Sequence, residues 1–188
     1  MRVLSVCLGP LATNCYLVEH AGSTLLVDPP EDSAELRTFV GDRRIDWILN
    51  THGHFDHTGG DWALLGVPVR VHASDLAFLE EDHPNHPPLG PSLEDGEEVV
   101  DGLSVLHTPG HSPGSVVLAG EGVLFVGDLL FAGSIGRTDL PGGSVDEMVA
   151  SLRRIVRLPG DYIIYPGHGE TTTLDLERRR NPFLVGLE

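Results

Sequence analysis

The sequence predicts an α/β protein built as a four-layer αββα sandwich, two sheets face to face with helices outside. Three observations predict it. Short apolar runs bounded by turn residues read as strands. Those runs alternate with single helices in both halves of the chain, the pattern of sheets with helices packed on them. The length of 188 residues fits one domain, 1–188, and 40% hydrophobic with 21% charged residues is ordinary globular composition. Periodicity by itself also admits other α/β arrangements.

Residues 3–8, 16–20 and 25–28 read as three successive strands, separated by the turn pairs Gly9-Pro10 and Ala21-Gly22. Residues 33–42 read as a helix with Ser33 as N-cap and Leu36, Phe39 and Val40 on one face. A strand at 45–50 then runs straight into T-H-G-H-F-D-H-T-G-G. The second half offers a strand at 69–72, a short helix at 75–81 and a Pro/His-rich loop at 83–91. Strands follow at 97–100, 103–107, 115–118 and 123–126. An amphipathic helix at 145–158 turns Met148, Leu152, Ile155 and Val156 to the core and Arg153, Arg154 and Arg157 to water. A strand at 162–165 and a helix at 174–180 complete the chain.

Acidic residues outnumber basic ones 28 to 12, for a formal charge of −16. Such a charge repels phosphate backbones, so no nucleic-acid partner is expected. The 12 basic residues are all arginine, which excludes a lysine Schiff base and a P-loop lysine. No run approaches the ~18 apolar residues of a membrane span. The apolar N-terminal stretch breaks at Gly9-Pro10, and no A-x-A-like cleavage site follows. A cytoplasmic location without membrane contact is expected. Cys7 and Cys15 are too few for a disulfide framework, and both are expected to be buried, inert thiols.

The chemistry concentrates in residues 51–57, T-H-G-H-F-D-H, at the end of a predicted strand. In extended backbone, residues two apart point the same way, so His52 and His54 can face one site. A helix beginning near Asp56 turns that residue and His57 towards a neighbouring site. Imidazole and carboxylate suit zinc, iron or manganese. A cluster of such groups at a buried strand end is costly unless something satisfies it. His111 in T-P-G-H-S-P-G-S, Asp128 in F-V-G-D and His168 in Y-P-G-H-G-E sit at other predicted strand ends, beside glycines that let backbone approach closely. Each alone is weak evidence. Together they bring the set to seven donors, which suits two metals with a shared carboxylate and a water.

The V-D-P turn at Asp28, the T-H-x-H-x-D-H block, then His111, Asp128 and His168 in that order resemble the metallo-β-lactamase superfamily over nearly the whole chain. The resemblance implies the αββα fold of that type and two divalent metal ions per chain, zinc first, with iron and manganese compatible. It implies that His52, His54 and His111 hold the first ion. Asp56, His57 and His168 hold the second, and Asp128 bridges. Asp28 supports the histidine loop rather than binding metal.

Residues 131–144, F-A-G-S-I-G-R-T-D-L-P-G-G-S, together with P-G-H-G-E-T-T and the closing N-P-F, are similar to the small bacterial glyoxalase II-like hydrolases. That branch implies a thioesterase, a hydroxyacylglutathione hydrolase. The larger members carry Gly-Lys-Phe-Tyr where this chain has Gly136-Arg137-Thr138-Asp139, so Arg137 stands where a substrate-contacting lysine stands. It can grip a substrate carboxylate or pair internally, for example with Asp139. Larger members also add a helical C-terminal domain that helps hold glutathione; this chain is expected to lack it. Gly53 replaces a third histidine of those members at a position that is not a ligand. A small-molecule thioester is the expected partner, and the oligomeric state stays open.

The implied mechanism is hydrolysis by a metal-bridging hydroxide, from a water acidified towards pKa ~7. Asp128 bridges the ions, and Asp56 is a ligand that also orients the nucleophile. A thiolate of pKa ~8.5 leaves without much help from a general acid. After seven donors no spare acid–base residue remains, which favours esters and thioesters over lactams. The alternatives are a lactone or other ester hydrolase, and a persulfide dioxygenase of the same superfamily. The dioxygenase group shares the G-R-T-D motif but uses one iron at positions matching His52, His111 and Asp128. The P-G-G at 141–143 fits the hydrolase group better. Among other residues, His83 and His86 read as surface histidines of the proline-rich loop, His72 and His107 as structural, and Trp47, Trp62 and Tyr165 as packing. Asn14 reads equally as a turn residue or a neighbour of the site, and Arg178, Arg179 and Arg180 as a solvated helix face.

Overall fold

The computed structural model describes residues 1–64, 66–82 and 89–187. One sheet orders β1 (Arg2–Leu8), β2 (Thr13–His20), β3 (Ser23–Val27), β4 (Trp47–Leu49) and β5 (Val69–Arg70) side by side. The other orders β13 (Thr172–Thr173), β12 (Ile163–Pro166), β9 (Val123–Gly127), β8 (Val116–Gly120), β7 (Leu103–His107) and β6 (Glu98–Val100). A small hairpin, β10 (Leu130–Phe131) with β11 (Ser134–Ile135), stands apart. The helices are α1 (Ala34–Val40), α2 (Phe55–Thr58), α3 (Leu76–Asp82), α4 (Val145–Val156) and α5 (Leu174–Arg180).

The four layers follow from period-two alternation in the strands. Tyr16, Val18, Leu25, Val27 and Leu49 point between the sheets, against Val116, Leu118, Val123 and Phe125. Their chain neighbours Cys15, Leu17, Leu26 and Ile48 point outwards and pack on Leu36 and Val40 of α1. On the second sheet Val117, Leu124 and Val126 point outwards and meet Met148, Leu152 and Ile155 of α4. The predicted sandwich is therefore the fold observed. Ser33 caps α1 as expected, its hydroxyl accepting from the Leu36 N–H at 3.2 Å.

The differences lie at element ends and in the smallest elements. The strand expected over 25–28 stops at Val27, because Asp28 takes a left-handed backbone (φ 51°) and turns the chain. The helix expected from residue 75 starts at Leu76, after a 3-10 turn over Ala73–Asp75 whose cap is the His72 ring accepting from the Ser74 N–H. His72 also stacks on His107, ring centres 4.2 Å apart. The hairpin β10–β11 and strand β13 are two residues per strand, too short for a periodic signal. Cys15 is buried, but Cys7 is exposed, because it sits on the edge strand β1. Arg178 is no solvated side chain: its guanidinium donates to the carbonyls of Val156, Leu158 and Gly160 and pins α5 to the end of α4. Trp47 is half-buried beneath the Arg70 guanidinium, and Tyr165 stacks on Phe125. His83 and His86 lie outside the described residues. No described helix is long and apolar enough to cross a membrane.

Candidate metal centre

Four strands of the two sheets deliver the predicted donors to one place. The segment after β4 bends at His52, and His54 is extended and precedes α2, which opens with Phe55, so that Asp56 and His57 lie on its first turn. His111 comes from the loop between β7 and β8, Asp128 directly follows β9, and His168 lies two residues beyond β12. Parallel pairing of β12 with β9 brings the last two together. A bridge between Thr13 and His168, and the Asn14 N–H donating to the Gly167 carbonyl at 2.8 Å, tie the His168 loop to the first sheet. The Asn14 side chain donates to the Pro166 and Gly169 carbonyls as well, so it holds this loop in place.

All seven predicted donors converge. His52, His54 and His111 form one group whose ligating atoms lie within 4.8 Å of one another, as do His52, His57 and Asp128, and Asp56, His57 and His168. Asp128 reaches several of them: its Oδ1 is 3.5 Å from His57 Nε2, and its Oδ2 is 3.6 Å from Nε2 of both His111 and His168. His54 Nδ1 and His111 Nε2 are 2.9 Å apart. His52 Nε2, His57 Nε2 and Asp128 Oδ1 are buried without a hydrogen-bond partner among the described residues. Buried polar atoms are paired as a rule, so three orphans aimed at one point mark a place built for a cation. Donors of imidazole and carboxylate type fit a divalent metal.

The opposite edges of the rings are fixed. Asp28 Oδ1 accepts from the Thr51 N–H at 2.7 Å, and its Oδ2 accepts from the Thr51 hydroxyl at 2.6 Å and faces His57 Nδ1 at 3.0 Å. A proton held on His57 Nδ1 leaves Nε2 as the lone-pair donor. His111 Nδ1 likewise faces the Arg137 carbonyl at 2.8 Å. Asp28 thus touches the histidine loop at Thr51 and at the His57 ring. Thr13 donates to Asp56 Oδ2 at 3.3 Å, a contact that the sequence does not announce.

Electrostatics divides the histidines. Burial, followed by the neighbouring imidazoles, pushes His52 well below the ordinary range. His54 is lowered for the same reasons, His111 leading among its neighbours. Burial lowers His57 too, but Asp28 and Asp128 outweigh it and lift the ring to about 9. The hydrogen bond to Asp56 raises His168. Burial works to raise Asp56, yet His168 and His57 bring it to about 2. A cation entering the site would compete with these protons.

The donors open into a cavity of about 620 Å³. Leu11, Phe55, Phe78, Leu140 and Pro141 give it apolar walls, with Arg137 and Glu81 as its charged side chains beyond the donor set. Leu11 and Phe55 are half exposed at its mouth. Arg137 lines the cavity and at the same time grips Asp139 with two hydrogen bonds, Nε at 2.7 Å and a terminal nitrogen at 2.8 Å. Asn181 of the closing N-P-F is buried and donates to the Phe131 and Ser134 carbonyls. It fastens the β10–β11 hairpin, and Phe131 of that hairpin packs edge-on to His168.

Comparison with known proteins agrees with this picture. A family model for the metallo-beta-lactamase superfamily matches residues 8–168. The hydroxyacylglutathione hydrolase GloC of Haemophilus influenzae is 35% identical over 91% of this chain and 92% of its own. Among solved structures, TTHA1623 in a di-iron-bound form superposes with a TM-score of 0.90 at 42% identity, covering 97% of this chain and 100% of that one. The BLEG-1 B3 metallo-beta-lactamase superposes with a TM-score of 0.84 at 35% identity, covering 98% and 100%.

Proposed function

The chain belongs to the metallo-β-lactamase superfamily of metal-dependent hydrolases, and from that premise we propose that it hydrolyses thioesters of the hydroxyacylglutathione kind at a two-metal centre. The observation that carries the two-metal reading is the donor geometry, in which seven side chains form overlapping groups around three orphaned buried atoms. His52, His54 and His111 would hold one cation, and Asp56, His57 and His168 the other, with Asp128 between them. The 35% identity to GloC over nearly the whole chain supports the thioester substrate. Zinc suits the donors, and the di-iron form of TTHA1623 makes iron the cation to test beside it.

Divalent cations bound there supply Lewis acidity and an acidified water near neutral pH. The chain itself does the rest. Asp28 and the Arg137 carbonyl hold His57 and His111 with their Nε2 atoms turned inwards. Thr13 steadies Asp56, whose carboxylate stays ionised throughout the physiological range and can orient a water. The apolar walls receive the acyl and thiol arms and limit water to the donor end of the cavity. A thiolate departs without a proton donor, and among the described residues Glu81 is the one acid that lines the cavity outside the donor set.

The test pairs metal analysis of the purified protein with assays on S-D-lactoylglutathione and glutathione persulfide. Two metal equivalents and thioester cleavage that Asp128→Ala abolishes are expected. One iron per chain and oxygen uptake with the persulfide would replace this reading with the dioxygenase.

A further inference from the structure

Asp75 is fully buried, and none of the chemistry above uses it. It ends the 3-10 turn before α3, and its carboxylate receives three hydrogen bonds. Oδ2 accepts from the Gly53 N–H at 2.9 Å and from the Ser112 hydroxyl at 2.6 Å; Oδ1 accepts from the Gly114 N–H at 2.6 Å. Gly53 separates His52 from His54, and Ser112 directly follows His111. A single carboxylate therefore clasps the two loops that carry one complete donor group.

The clasp is tight enough to dictate its neighbours. A Cβ on Gly53 would stand 2.7 Å from the Asp75 carbonyl oxygen, and a Cβ on Gly114 would stand 2.6 Å from Asp75 Cγ. Both loops come so close to Asp75 that neither has room for a side chain. This gives a physical reason for glycine between the two histidines at 52 and 54.

We infer that Asp75 is the positioning residue for the His52, His54 and His111 group, as Asp28 is for His57; the inference rests on the metal assignment proposed above. Asp28 acts on Thr51 and on the His57 ring and does not touch the His111 loop. Asp75 acts on backbone and a hydroxyl, and sets how far apart the two loops stand. The amide isostere cannot do this work. Three donors converge on two carboxylate oxygens, while an asparagine offers one oxygen and one NH2. However it is turned, a backbone N–H of Gly53 or Gly114 faces another donor.

The experiment titrates metal-free wild type, Asp75→Asn and Ser112→Ala with cobalt(II), following its visible absorption and competing with a chelator to obtain stepwise affinities. His111→Ala and His168→Ala assign the two steps. Asp75→Asn is expected to weaken the step that needs His111 by ~10–100-fold, the usual effect of losing a residue that orients metal ligands. The step that needs His168 should stay within ~3-fold. Amide exchange at Gly53 and Gly114 should quicken. Ser112→Ala keeps both backbone contacts and should shift the same step in the same direction by less. Equal weakening of both steps, or no change in either, would overturn the inference. If Asp75→Asn fails to fold, an unchanged His111 step in Ser112→Ala overturns it. Wild type that takes up no cobalt would sink the metal assignment and this inference together, whereas two bound ions with Asp75→Asn unchanged would sink this inference alone.

Discussion

His57 has no exposed surface and His52 has 1%, whereas Arg137, which lines the cavity, and its partner Asp139 leave 61% and 69% of their side chains in water. The inner wall is locked. His57, His52 and His111 each have a partner behind the ring, and those partners are themselves buried or backbone atoms. The outer rim is held by an ion pair in solvent, where attraction is screened and side chains reorient at little cost. The difference separates two jobs. On the function proposed above, donor geometry is built into the sandwich, and contact with the rest of a substrate would fall to side chains that can move.

The largest effect should come from the wall. Asp128→Ala removes the carboxylate that lies within reach of His57, His111 and His168. Metal content and kcat/KM for a thioester should both fall, the rate by more than ~100-fold, since a lost ligand costs more than a lost supporting residue. Elemental analysis and steady-state kinetics check this together. Asp28→Asn should come next. Its amide cannot accept from Thr51 on both sides and also take the His57 proton, so chelator competition should show a ~10–100-fold weaker site.

A pH series probes the same wall without mutation. The His57 pKa stands at about 9, above the ordinary 6.5, because Asp28 and Asp128 overcome its burial. The folded state thus holds that proton more tightly than the unfolded chain. The stabilisation is complete below pH 6.5 and is lost as pH rises through about 9. Chelator-stripped protein should therefore lose thermal stability across that window. Metal-loaded protein should not, because the ion replaces the proton on Nε2. Parallel melting curves at pH 6, 8 and 9.5 make the comparison. A flat metal-free profile would show that the carboxylates do not hold His57 as their distances indicate.

The wall was also the more legible part of the sequence. Histidines and aspartates at strand ends announce themselves by type and spacing, and alternation such as Cys15, Tyr16, Leu17 and Val18 marks which face of a strand meets which layer. The supporting contacts are harder to read. Asp75 meets Gly53 and Gly114 across 22 and 39 residues of chain, and Asn14 meets Pro166 across 152. No local pattern encodes such pairings, because the sheets bring them together only after folding. Leu11, Phe55 and Phe78 look like ordinary apolar residues in sequence, and only the assembled cavity gives them a role. Cys7 is exposed where the sequence predicts burial, because alternation does not say which strand of a sheet is the edge.

The smallest effect should come from the rim, and its sign is informative. Asp139 occupies the guanidinium fork of Arg137 with two short hydrogen bonds, so a substrate carboxylate must displace it or share it. Asp139→Asn removes the competing charge. It should lower KM for S-D-lactoylglutathione, whose thiol arm is anionic, by up to about fivefold, the scale set by an exposed ion pair. KM for a neutral thioester should not move, and kcat should be unchanged for both because neither residue touches the donor set through its side chain. The gain should shrink between low salt and about 0.5 M, where the Debye length falls to a few ångström. Arg137→Ala should raise KM for the anionic thioester alone. Equal shifts for anionic and neutral thioesters would mean that the pair only shapes the loop around residues 136–139, and that selection of the thiol arm lies with the apolar walls.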